Sequence, residues 1–117
     1  MIIGIDFDGT CVTHSYPSIG QDIGAIPVLK ELVNKGHDLI LWTMRSNESL
    51  KAAIEWFETN DIKLYASQRN PTQDSWTSSP KAYCQLYIDD AALGCPLINS
   101  HVDWIKVREW LIEKHVI

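Results

Sequence analysis

The sequence predicts an α/β domain, a parallel sheet flanked on both faces by helices. Three observations predict it. Short apolar runs alternate along the chain with amphipathic stretches of helical period, the order expected of strand–helix–strand crossovers. The runs are continuous rather than alternating, as in strands buried on both faces. Three of them stop at a polar residue, Asp6, Thr43 and Asp89. In a parallel sheet these would all stand at the carboxyl ends of strands, where ligands bind. A length of 117 residues makes one domain, 1–117, with room for a real core.

Ile2, Ile3 and Ile5 form the first strand, ending at Asp6, and Gly9 turns the chain into a loop over 10–22 rich in Thr, Ser, Gly and Pro. Pro27 opens the first helix, because a missing N–H is harmless in a first turn; Ile26, Leu29 and Val33 share one face and Gly36 stops it. Leu39 to Trp42 is the second strand, closed by Thr43. Ser46 or Asn47 caps a second helix, in which Leu50, Ala53, Ile54 and Phe57 fall at i, i+3, i+4 and i+7. A short weak strand follows at 63–66, then a polar, proline-containing loop over 67–80. Leu86-Tyr87-Ile88 is the third clear strand and Leu97-Ile98 a short last one. Val102 to Lys114 is an amphipathic helix with Trp104, Val107 and Leu111 on one side.

Composition narrows the function. Net charge is −5 with no basic stripe, which argues against gripping long nucleic acid. A phosphorylated substrate stays compatible, since one bound cation and one lysine reverse the sign locally. Cys11, Cys84 and Cys95 are odd in number and lack metal-type spacing, so they read as reduced thiols of a cytoplasmic protein. The first residues lack a basic region and reach an acid at Asp6, reading as a strand and not a signal peptide. No apolar run approaches the roughly 18 residues that span a bilayer, so no membrane partner is expected. The tryptophans read as core and surface packing.

Asp6-Phe7-Asp8-Gly9-Thr10 carries the chemistry. Two acids at i and i+2 would point the same way if the strand ran on, and Asp89-Asp90 ends another strand. Carboxylates crowded into one crevice repel each other and are costly to bury. A hard divalent cation is the simple remedy, and Mg²⁺ suits a site that also takes phosphate. Asp6, Asp8, Asp89 and Asp90 are the candidate metal residues. Gly9 permits a sharp turn and close approach of backbone N–H groups to an anion. Gly9, Thr10 and Thr43 are the expected substrate contacts. Arg45, two residues past Thr43, is either a bidentate ligand for a substrate anion or a solvated loop arginine.

The Asp6–Thr10 segment resembles the first motif of the haloacid dehalogenase superfamily. Leu41-Trp42-Thr43 is similar to its second, Lys81 to its third and Ile88-Asp89-Asp90 to its fourth, in the family's order over roughly residues 1–94. The resemblance implies a three-layer, Rossmann-like core and an aspartyl-phosphate mechanism. Asp6 would attack phosphorus. Asp8 would be general acid to the leaving group and then base for water, its backbone carbonyl also ligating the metal. Asp89, ranked ahead of Asp90, would complete the Mg²⁺ site. Thr43 would bond a phosphoryl oxygen and Lys81 would neutralise charge there. An acid at Asp8 favours phosphoryl transfer over carbon–halogen cleavage. The gaps between motifs leave no room for a cap domain, implying an open site for a phosphate on a large substrate, or a lid from a neighbouring subunit in a homo-oligomer. The expected activity is Mg²⁺-dependent phosphomonoester hydrolysis. A phosphotransferase on the same scaffold, and a phosphate- or metal-binding module without turnover, are the alternatives.

The remaining polar residues receive plainer readings. His14 and Tyr16 lie in the loop after the first motif, and His14 reads as a surface histidine. Cys11 reads as an apolar filler. His37, His101 and His115 are not at metal-ligand spacing, and Gln68 and Arg69 carry no role.

Overall fold

β1 (Ile2–Ile5), β2 (Asp38–Leu41), β3 (Ala66–Ser67) and β4 (Leu86–Ile88) form one parallel sheet in the order β3-β2-β1-β4 in a computed structural model that describes the whole chain, Met1–Ile117. Ile3 stands opposite Leu39 and Leu86, and Ile5 opposite Leu41 and Ile88. Registered residues of parallel strands share a face, so one sheet face is a continuous apolar surface. Against it lie the helices α1 (Ala25–Asn34), α2 (Asn47–Thr59) and α3 (Trp104–Glu113). Ala25, Val28, Leu29 and Leu32, then Ala53 and Phe57, then Trp104, Val107 and Leu111 join Ile3, Ile5, Leu39 and Leu41 in one core. Two right-handed crossovers stepping the same way, β1 to β2 to β3, put α1 and α2 on one side.

The helical layer expected on the second face is reduced to a single 3₁₀ turn, Pro71–Gln73. The return crossover from β3 to β4 covers that face, with Ala82 and Cys84 packed on Ile40. Gly4 lets it approach, because a Cβ there would stand 3.0 Å from Cys84 Sγ and 3.1 Å from the Tyr87 ring. Buried Asn70 and Gln73 replace a helical ladder. Asn70 Nδ2 donates to the Tyr83 carbonyl at 2.9 Å, and Gln73 bonds the Tyr83 N–H at 2.7 Å and the Lys81 carbonyl at 2.9 Å.

Several boundaries differ from the sequence reading for identifiable reasons. α1 begins two residues before Pro27 because the Asp22 carboxylate accepts the N–H groups of Gly24, Ala25 and Ile26 at 3.0–3.2 Å. Its buried stripe is Ala25, Val28, Leu29 and Leu32, with Ile26 and Val33 half-buried at the flanks. Ser46 is the cap of α2, and the Ser49 hydroxyl accepts its N–H at 3.2 Å and donates to its carbonyl at 2.7 Å. β3 falls at Ala66–Ser67 rather than 63–66. Leu97–Ile98, expected as a last strand, is β5 of a separate antiparallel hairpin with β6 (His101–Val102). Val102 belongs to that hairpin, and Asp103 starts α3 by accepting the Ile105 and Lys106 N–H groups.

From β1 the chain leaves to β2 on one side, while β4 lies on the other. That reversal of strand order between β1 and β4 is where such sheets open a crevice at their carboxyl ends. No helix is long and apolar enough to cross a membrane.

Candidate functional site

Asp6 follows β1 and Asp89 and Asp90 follow β4, so adjacent parallel strands deliver three acids to the crevice. One carboxylate oxygen from each lies within 4.8 Å of those of the other two. Thr10, fully buried, knits the group together: its hydroxyl donates to Asp6 Oδ2 at 2.8 Å and accepts the Asp90 N–H at 3.0 Å. Asp90, ranked behind Asp89 from the sequence, is the acid bonded into this network. Asp89 Oδ1 accepts the Ala91 N–H at 2.8 Å. Burial, then the hydrogen bond with Asp90, raises the Asp6 pKa from its ordinary 3.8 to about 7.

No lysine or arginine pairs with these acids; the ion pairs of the chain are His14–Asp90, Arg45–Asp8, Arg69–Asp74, Lys106–Glu109 and Arg108–Glu31. Three crowded carboxylates without a lysine or arginine partner fit a hard divalent cation from solution.

Asp8 stands outside that triad. Arg45 Nε donates to its Oδ2 and Nη2 to its Oδ1, each at 2.8 Å. Arg45 is 1% exposed, and its other N–H groups donate to the carbonyls of Pro17, Ser18 and Ser49 at 2.7–3.1 Å. The guanidinium also lies 5.0 Å from the Phe7 ring centroid and 5.2 Å from that of Tyr16. With every donor used, Arg45 is neither the substrate ligand nor the solvated loop residue expected.

Thr43 follows β2 with its Oγ1 accepting the Arg45 N–H at 3.1 Å, which leaves its hydroxyl hydrogen to donate to an anion. Gln68, given no role from sequence, straps Thr43 in place: its side chain accepts the Thr43 N–H at 2.9 Å and donates to the Thr43 carbonyl at 2.6 Å. Its left-handed φ of 62° was the one local oddity, and it is visible only in the backbone.

Gly9 and Thr10 differ from expectation. The Gly9 N–H donates to the Val12 carbonyl at 2.8 Å, so it is not free for an anion. Its φ of +77° and lack of a Cβ instead admit the His14 ring and the Asp90 carboxylate. The Thr10 hydroxyl serves the acids, and its carbonyl accepts Trp104 Nε1–H at 2.6 Å. Lys81 is exposed and does not join the cluster; its Nζ lies 5.4 Å from the Tyr87 ring centroid. Its neighbour Ala82 is packed on the second sheet face against Ile40 and Cys84.

His14 is the surface histidine expected, half exposed, and it also reaches the acids. Its Nε2 lies 3.5 Å from Asp90 Oδ2 and 3.2 Å from the Ser100 carbonyl, and its ring is 5.1 Å from that of His101. Cys11 is the filler expected. It is buried, its Sγ lies 3.4 Å from the Asp6 carbonyl, and burial pushes its thiol pKa well up.

No protein-family model and no curated protein matches the chain. Among solved structures it is similar to a conserved protein from Bacteroides thetaiotaomicron, at 39% identity and a TM-score of 0.84 over 97% of this chain and 91% of that one. Identity at that level across nearly both full lengths extends beyond fold, and the chain belongs to the same family as this conserved Bacteroides protein.

Proposed function

We propose that the chain is a Mg²⁺-dependent phosphomonoester hydrolase with Asp6 as covalent nucleophile, a capless relative of the haloacid dehalogenase superfamily. The observation that carries this reading is the convergence of Asp6, Asp89 and Asp90 at the β1–β4 switch point, with no lysine or arginine paired to them. The motif order from Asp6 to Asp90 supports it further. The segments between elements hold loops and one 3₁₀ turn rather than a second domain, which supports the capless reading.

In this mechanism an Asp6 oxygen attacks phosphorus, and the bond from phosphorus to the ester oxygen breaks. Asp8 gives that oxygen its proton. Asp8 then takes a proton from water, which attacks phosphorus and releases Asp6 and inorganic phosphate. Thr43 donates to a phosphoryl oxygen. A bound Mg²⁺ would offset the charge gathered on the carboxylates and the phosphoryl group.

The test is phosphate release from a panel of monoesters with Mg²⁺ and with EDTA. Turnover is expected with the metal, and it should fall to background in EDTA and in Asp6→Asn. One arrangement favours a second reading, a metal- or phosphate-binding module without turnover: Asp8 is engaged by Arg45 and Lys81 lies on Tyr87. A folded parent protein that binds Mg²⁺ yet releases no phosphate from any ester would decide for the module.

A further inference from the structure

Arg45 spends its five N–H donors on three parts of the chain. Two go to the Asp8 carboxylate, two to the Pro17 and Ser18 carbonyls of the loop after the first motif, and one to Ser49 in α2. Phe7 on one hand and Tyr16 on the other lie against its guanidinium. A bidentate fork fixes a carboxylate in plane and direction, which a lysine cannot do. The fork uses two of the four lone-pair sites of Asp8, whose side chain remains 20% exposed. Asp8 is therefore held but still reachable.

We propose that Arg45 is a positioning residue for Asp8. It does not touch substrate; it sets where the Asp8 carboxyl stands and ties that position to the loop at Pro17 and Ser18. This role rests on the phosphatase reading above, in which Asp8 exchanges protons with the leaving group and with water.

The experiment compares the parent, Arg45→Lys, Asp8→Asn and the double variant on two monoesters with Mg²⁺. Propyl phosphate has a leaving group that needs a proton, and 4-nitrophenyl phosphate has one that departs without it. General-acid help is worth about 10²–10⁴-fold. Arg45→Lys should therefore lower kcat about 10²-fold on the propyl ester and less than about tenfold on the nitrophenyl ester. KM should hold within about twofold on both, and the double variant should lose little beyond Asp8→Asn. Equal losses on both esters, a large rise in KM or strictly additive losses would overturn the role while leaving the phosphatase reading intact. No turnover by the parent on either ester would overturn both. Where Arg45→Lys fails to fold, Tyr16→Ala decides. It leaves the guanidinium and removes one ring beside it, so the same leaving-group bias is expected at about threefold, and an unbiased loss or none overturns the role.

Discussion

Gly9 shows how little space the crevice leaves. A Cβ at this residue would collide with the His14 ring and stand 2.6 Å from Asp90 Oδ2, on a backbone whose φ of +77° already disfavours side chains. Gly9→Ala is expected to destabilise the fold by about 1–2 kcal/mol and, by displacing Asp90, to weaken Mg²⁺ affinity about tenfold. Thermal melting and calorimetric titration read the two effects, and unchanged Mg²⁺ affinity would place Asp90 outside the metal site. Asp6 and the Asp89-Asp90 pair were legible in the sequence because each closes an apolar run, and strand ends in a parallel sheet point to one place. The partners of Asp8 and Thr43 were not. Arg45 lies 37 residues from Asp8, and Gln68 25 from Thr43, and no local pattern marks a polar contact across such distances.

At the scale of elements, helix ends depend on single side chains. Asp103 accepts the Ile105 and Lys106 N–H groups at 3.1 and 3.2 Å and so opens α3. Asp103→Ala should cost about 1 kcal/mol, a fall of about 4 °C in Tm. A change below about 1 °C would mean that packing of Trp104 and Val107 alone sets the helix start. Strands and helices with strong apolar periodicity, β1, β2, α2 and β4, were legible as elements. α1 was found but its start was misplaced, because Asp22 reaches forward from outside the periodic stretch. β3 and β5 are two residues each, too short to carry a period, and their pairing depends on which edge they meet.

Across the whole molecule, burial of Asp6 against Asp90 sets function against stability. Folding raises its pKa from 3.8 to about 7, so the folded state holds this proton more tightly than the unfolded chain. The contribution of Asp6 to stability is then greatest at low pH and fades as pH rises from 3.8 to about 7. In EDTA, Asp6→Asn should melt higher than the parent at pH 8, with the gap closing toward pH 4. Added Mg²⁺ should raise the parent Tm at pH 8 by binding the folded state alone, and should leave the variant nearly unmoved. Calorimetry of both proteins across pH checks this, and parallel curves would show that Asp6 carries no such strain.

The sequence by itself determined the α/β class, the order of the main strands and helices, and the meeting of Asp6 and Asp89 at strand ends. These follow from hydrophobic period and from the geometry of parallel sheets, both of which are local or topological. Only the tertiary structure decided that all three helices share one face, that a loop held by Asn70 and Gln73 covers the other, and that Arg45 belongs to Asp8 while Lys81 lies on Tyr87. Those outcomes turn on the direction of successive crossovers and on long-range hydrogen bonds between polar side chains. A polar residue carries no period in the sequence to say which partner it will meet.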